Sequence, residues 1–347
     1  MNQLTDNIIQ INFDDISKAD LPYNESFGLI TFINDVKYEF FMNLKENSQK
    51  LIVQASGAIP SNKPIDRTRP YLNRWSWCKD VKDSMICFND PTNYINDDIY
   101  CGYGVGTKED YYLEKIRDIS LAIAENLGLK NDNILFYGSS AGGYTSLLLS
   151  TMVKGSTAIC DIPQFYLNEL WFNYWESFKK YIFINMDDDE IINKYGYRIN
   201  AIEMMKKEKY IPNAILILDC SVERDFNMQY LHFLSDLSNL PFEGNANNIK
   251  IYITGQNKGH IPLNFSSSMF VLNESDMLGN NLSYDSLSNF DNHILECEQL
   301  RATNNSLRNA NNSLKKEIKS LKKFKKDVLS SRSWKITKYL RLIGNKF

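Results

Sequence analysis

Residues 133–150 read NILFYGSSAGGYTSLLLS, a strand, a tight turn and a helix in eighteen letters. Ile134 to Tyr137 form a β-rich run that ends directly at Gly138, and Gly142 opens an apolar stretch with Leu147, Leu148 and Leu149. Between them lies Gly138-Ser139-Ser140-Ala141-Gly142, a G-x-S-x-G pattern. Small residues on either side let the backbone turn sharply, so that Ser140 projects above the strand end. The following helix points its N-terminus at the same spot and favours negative charge there. Ser139 is the competing serine, and an ordinary serine in a glycine-rich turn is the plain alternative. The decision rests on whether the chain supplies partners.

A serine hydroxyl needs a base, and the chain has 3 histidines. His232 lies within an amphipathic helical pattern over 227–238, and His293 stands at the start of a heptad region. His260 follows the last strand in a glycine-flanked loop, YITGQNKGHIPL, and is the candidate base. The acid is sought after the preceding strand, AILILDC, where SVERDFN offers Asp219, Glu223 and Asp225. Asp225, just before a helix, is the leading candidate; Asp161 after the sixth strand is the alternative. The chain order Ser140, Asp225, His260 separates this set from the two unrelated serine protease orders. Backbone donors for a developing oxyanion are expected at Ala141 and, in the loop ASGAIP, at Gly57 or Ala58.

Outward from that stretch, strands are predicted at 26–33, 37–44, 50–55, 84–90, 133–138, 156–162, 214–220 and 248–255. The first three follow each other closely, as antiparallel hairpins do, with Asn34-Asp35 as a turn. The later ones alternate with helices predicted at 109–128, 142–153 and 227–238, which implies right-handed crossovers and a mostly parallel sheet. Eight strands with an antiparallel start suit an α/β class and the α/β-hydrolase architecture. Residues 164–210 interrupt the alternation with an aromatic and then a polar helical stretch, either a lid over the site or a helical excursion packed on the sheet.

The formal net charge of −3 hides an asymmetry. Residues 315–347 hold twelve Lys/Arg against Glu317 and Asp327, a local +10, which leaves −13 on the rest. An acidic body argues against nucleic-acid binding and gives the tail a separate task. The 6 cysteines form no C-x-x-C pair and no metal-ligand spacing, so no metal is expected. With the polar start MNQLTDNIIQ they read as reduced thiols of a cytoplasmic protein. No apolar run approaches the ~18–20 residues of a spanning helix.

From about residue 285 the composition changes. Leu300, Leu307, Leu314, Leu321 and Val328 recur every seven residues, with Cys297, Asn304, Asn311 and Ile318 at the other seam position. That predicts a coiled coil and self-association, the asparagines setting register; a solitary solvated helix is the alternative. Domains are therefore expected at 1–284, 285–330 for the coiled coil and 331–347 for a basic amphipathic tail. In the tail Trp334, Ile336, Tyr339, Leu340 and Ile343 alternate with Lys335, Lys338 and Arg341. That composition suits peripheral contact with the anionic inner face of a membrane, or docking on a partner protein.

The elbow FYGSSAGGY, the loop IVQASGA and the stretch RPYLNRWSWCKD…ICFNDPT resemble the α/β-hydrolase-fold proteins of bacterial capsule and surface-polysaccharide clusters, over roughly residues 25–270. Some of these are polysaccharide O-acetyltransferases with a Ser-Asp-His triad. The resemblance implies Ser140 as nucleophile, Asp225 as acid and His260 as base. It implies acetyl transfer from acetyl-CoA, a co-substrate rather than a bound cofactor, to a surface glycan or lipid-linked oligosaccharide. Arg67, Arg69 and Arg74 are then candidates to grip coenzyme A phosphates. The ending SRSWKITKYLRLIG (331–344) is similar to tails that follow coiled coils in bacterial envelope glycosyltransferases, with Tyr339 in place of a proline. A small-ester or carbohydrate esterase using the same triad, and a non-catalytic coiled-coil scaffold, are the competing expectations.

Overall fold

The computed structural model describes residues 4–60, 69–170, 172–241, 249–255, 259–273, 313–323, 325–327 and 329–331. The chain divides into two units, one of residues 1–264 and 268–278, the other of 265–267 and 279–347.

The first unit is built on a nine-stranded sheet in the order β1-β2-β3-β5-β4-β6-β7-β8-β9. The strands are β1 Ile8–Gln10, β2 Ser26–Ile33, β3 Val36–Asn43, β4 Leu51–Ala55, β5 Ser84–Phe88, β6 Ile134–Ser139, β7 Thr157–Asp161, β8 Asn213–Asp219 and β9 Ile249–Thr254. Only β3 runs against its neighbours; every other pairing is parallel. Strands β2 to β9 match the eight predicted runs in place. The ninth, β1, has three residues and no alternation to betray it. It forms by adding parallel to β2.

One expectation is corrected. The β2–β3 hairpin turns at Asn34 and Asp35, both at positive φ (50° and 62°), the backbone that a two-residue hairpin of this twist demands. Strand β4, however, does not continue the meander. It crosses over to lie between β5 and β6, parallel to both. The physical reason is in its residues: all five of Leu51-Ile52-Val53-Gln54-Ala55 are buried. A strand covered on both faces belongs in the middle of a parallel sheet, not on a half-wet hairpin.

Helices cover the faces. Helix α1 (Tyr112–Asn126) buries Leu113, Ile116, Ile119 and Ile123 as one stripe. Helix α2 (Ala141–Met152) is buried almost all round, from Ala141 to Thr151, because it packs on β4, β6 and β7 and against α1 and α5. The excursion at 164–210 folds into α3 (Phe172–Tyr181), α4 (Asp188–Ile199) and α5 (Ala201–Glu208). An Asp187/Glu190 capping box starts α4, and the Asn200 side chain caps α5. Phe178, Phe183, Ile191, Met204 and Met205 from this excursion join the main hydrophobic core. The Arg198 guanidinium, 5% exposed, donates to the carbonyls of Val105 and Thr107. After β8 come the single turn α6 (Glu223–Asp225), a π-helical turn over Phe226–Tyr230, and α7 (Leu231–Ser238). Helix α8 spans Phe265–Asn273. Cys78, Cys87, Cys101 and Cys160 are buried free thiols, and Cys220 is an exposed one.

In the second unit, residues 313–323 are helical. Leu314, Ile318 and Leu321, at i, i+4 and i+7, are 56%, 52% and 56% exposed. The remaining predicted heptad positions, Cys297, Leu300, Asn304, Leu307, Asn311 and Val328, lie outside the described residues, as does the tail from 332. Among the described residues no helix is long and apolar enough to cross a membrane.

Candidate active site

Ser140 stands between β6 and α2 with φ 57° and ψ −121°, a conformation that costs energy for any residue with a Cβ. Surrounding contacts hold it there. The Ser140 amide donates to the Asp161 carbonyl at 2.9 Å, and its carbonyl accepts the first helical bond of α2, from Tyr144, at 3.1 Å. The flanking glycines are obligatory. A Cβ on Gly138 would sit 2.2 Å from the Gly142 carbonyl oxygen, and one on Gly142 would sit 2.4 Å from that of Ala55. The turn closes only because neither side chain exists.

The loop between β9 and α8 brings His260 over this elbow. Ser140 Oγ–H donates to His260 Nε2 at 2.8 Å, and His260 Nδ1–H donates to Asp225 Oδ2 at 2.5 Å. An ionised carboxylate can only accept, which assigns the proton to Nδ1 and leaves Nε2 as the acceptor. Asp225, at the end of α6, is thus the carboxylate that reaches the histidine. The alternatives are engaged elsewhere: Asp219 caps the turn after β8 by accepting from the Ser221 amide at 2.8 Å, and Glu223 is exposed. His232 lies on α7 against Glu169 at 3.3 Å. His293 lies outside the described residues.

Asp161 has a different place. It is 1% exposed; its Oδ2 accepts from Ser139 Oγ at 2.7 Å and from the Leu263 amide at 2.9 Å. Leu263 is three residues beyond His260, so this carboxylate pins the loop that carries His260. Burial pushes the Asp161 carboxyl above its ordinary range, while these donors, with Arg74 and His260, pull it back. Ser139 is therefore a bridge, accepting from Arg74 at 2.6 Å on its other side.

Arg74, a candidate for coenzyme A phosphates in the sequence, is half-buried here, donating also to Tyr137 Oη at 3.0 Å and lying 4.7 Å from the Trp77 ring. Its charge offsets the buried Asp161 carboxylate, which is why it faces the sheet rather than solvent. Arg69 is exposed, and its carbonyl accepts from Tyr94 Oη at 3.1 Å. Arg67 lies outside the described residues.

The loop after β4 lies beside the elbow: a Cβ on Gly57 would be 3.4 Å from the Ser139 carbonyl oxygen. The Ala58 carbonyl accepts from Tyr71 Oη at 3.3 Å. The Ala141 amide opens α2 and so has no acceptor one turn earlier in its own helix.

One group in the site was absent from the sequence reasoning. Gln164, 8% exposed, reaches Ser140 Oγ with Nε2 at 3.1 Å and with Oε1 at 3.3 Å, and its Nε2 lies 3.2 Å from His260 Nε2. Its place three residues past the end of β7, the strand beside the one that leads to Ser140, was the only available signal.

No family model matches the chain, and no curated protein matches it. Among solved structures, a fluorophosphonate-binding serine hydrolase of Staphylococcus aureus superposes with a TM-score of 0.50 at 14% identity, covering 75% of this chain and 100% of that one. The fold is that of the α/β hydrolases. The capsule O-acetyltransferase of Neisseria meningitidis serogroup A gives a TM-score of 0.48 at 17% identity, over 66% of this chain and 89% of its own. Acetyl xylan esterase 1 from Thermoanaerobacterium gives 0.49 at 9% identity, over 75% and 86%. Ser140 follows β6 on the elbow, Asp225 follows β8 and His260 follows β9.

Proposed function

We propose that this chain is a serine-dependent acyl transferase that moves an acetyl group from acetyl-CoA to a hydroxyl of a bacterial surface polysaccharide. The observation that carries it is the unbroken hydrogen-bonded chain Ser140–His260–Asp225, at 2.8 and 2.5 Å, on a strained elbow. His260 takes the Ser140 proton as Oγ attacks the thioester carbonyl. Asp225 holds the imidazole tautomer and offsets the charge that forms. The Ala141 amide, with that of Gly57 or Ala58, takes the oxyanion. The thiolate of CoA leaves with the proton from His260, and the acyl-Ser140 ester is then open to a hydroxyl.

Incubation with acetyl-CoA and capsule or lipopolysaccharide should release free CoA only when the glycan is present. An esterase is the second reading, favoured by the 33% exposure of the His260 side chain, through which water reaches the base. CoA release of equal rate without glycan decides for it.

Self-association through the heptad region is part of the proposal. Deleting 290–347 should leave a folded, active monomer, because the nine strands and all three triad residues precede Phe290. Light scattering that finds the shortened chain still oligomeric would place the interface in the α/β-hydrolase unit instead.

A further inference from the structure

The backbone on both sides of Gln164 is unusually constrained. Ile162 adopts φ 42°, a left-handed conformation that a β-branched residue avoids and that persists only where surrounding structure imposes it. Its amide donates to the Ile217 carbonyl at 2.8 Å, and Pro163 packs against α2 where a Cβ on Gly143 would meet it at 3.0 Å. On the other side the 2% exposed Gln229 accepts from the Phe165 and Tyr166 amides at 2.7 and 3.0 Å and donates to the Tyr166 carbonyl at 3.1 Å. The Phe165 ring stacks on Phe233 with centroids 3.8 Å apart. Gln229 belongs to the π-helical turn that begins directly after Asp225, a rare local structure that recurs at functional sites. The same turn therefore fixes the carboxylate behind His260 and the segment that carries Gln164 in front of it.

What is fixed is a carboxamide against both reacting atoms. In the free chain Ser140 Oγ–H is given to His260 Nε2 at 2.8 Å, while Gln164 Nε2 donates to Ser140 Oγ at 3.1 Å and lies 3.2 Å from His260 Nε2. Once Ser140 is acylated, its Oγ is an ester oxygen, a weak acceptor, and the Gln164 N–H is freed. We propose that Gln164 receives the hydroxyl that attacks the acyl-enzyme and aims it at the carbonyl. The inference rests on the acyl-enzyme reading above. The Gln164 N–H donates to a lone pair of the incoming oxygen, whose own proton then points at His260 Nε2. The oxygen–carbonyl carbon bond forms as that proton passes to Nε2. The tetrahedral intermediate collapses by breaking the carbon–Oγ bond, and His260 returns the proton to Ser140 Oγ. A thioester sulfur is a poor hydrogen-bond acceptor, so the amide serves the hydroxyl half-reaction far more than acylation.

The test separates the two halves with 4-nitrophenyl acetate, whose leaving group departs without proton help, in the presence and absence of a methyl glycoside as acceptor. Gln164→Ala, and the near-isosteric Gln164→Glu that keeps the volume but removes the N–H donors, should each release a burst of 4-nitrophenol close to one equivalent. Turnover after the burst should fall about 10- to 100-fold, the scale of a lost positioning hydrogen bond. Intact-mass spectra should show acetylated protein accumulating, with thermal unfolding unchanged. Burst rate and turnover falling together would mark Gln164 as structural and overturn the inference, as would unchanged turnover in both variants. A wild-type chain that releases no 4-nitrophenol above a Ser140→Ala control would overturn the acyl-enzyme reading itself, and this inference with it.

Discussion

Ser140→Ala and His260→Ala should each lower acyl transfer by on the order of 10³-fold or more, and the double variant should be little worse than either. The non-additivity follows from geometry. Ser140 Oγ and His260 Nε2 share one proton across 2.8 Å, so losing either end ends the same event. Asp225→Asn should also be severe, because Nδ1–H would lose its anionic acceptor and the imidazole its tautomer. A fluorophosphonate probe should label the wild-type chain and leave Ser140→Ala unlabelled. Equal labelling of both would remove Ser140 from the site and point to another nucleophile.

The second large effect concerns the turn rather than the chemistry. Gly142→Ala places a methyl 2.4 Å from the Ala55 carbonyl oxygen and 3.2 Å from that of Ser56, both backbone atoms that no rotamer change can move. Either α2 or the loop after β4 must shift. We expect a loss of about 3 kcal/mol in unfolding free energy, at the upper end for overpacking a well-filled site. Activity per folded molecule should fall further than stability alone explains, because either shift displaces an amide proposed to take the oxyanion, that of Ala141 on α2 or that of Gly57 in the loop. Gly138→Ala, with its methyl 2.2 Å from the Gly142 carbonyl oxygen, should be at least as damaging. Urea titration and kcat on the same preparations provide the check. Wild-type stability in Gly142→Ala would mean that the close approach of β4 and α2 is not required.

Much of this molecule was legible in its letters, for reasons of local physics. Ile134 to Ser150 announced strand, turn and helix because β-branched and aromatic residues, two small residues around a serine and a leucine run each prefer one backbone. The eight longer strands showed themselves as apolar runs between turn residues. His260 stood out by elimination among three histidines, and Asp225 by its place after the penultimate strand.

Tertiary structure decided what depends on contacts distant in sequence. That β4 leaves its hairpin neighbours for the sheet centre follows from burial on both faces, which only the assembled sheet supplies. Arg74 is an ordinary loop arginine in sequence; in the fold a buried Asp161 carboxylate, 87 positions on, draws it inward through Ser139. Asp161 in turn holds the histidine loop through the Leu263 amide, a contact across 102 positions. Gln164 had no motif to mark it, since a glutamine after a strand is common. Its position against Ser140 and His260 exists because Ile162 is forced to a positive φ and Gln229 clamps the backbone beyond it. Local preference is written residue by residue, whereas the mutual placement of groups from β4, β6, β7, β8 and β9 is set by the sheet that aligns their ends.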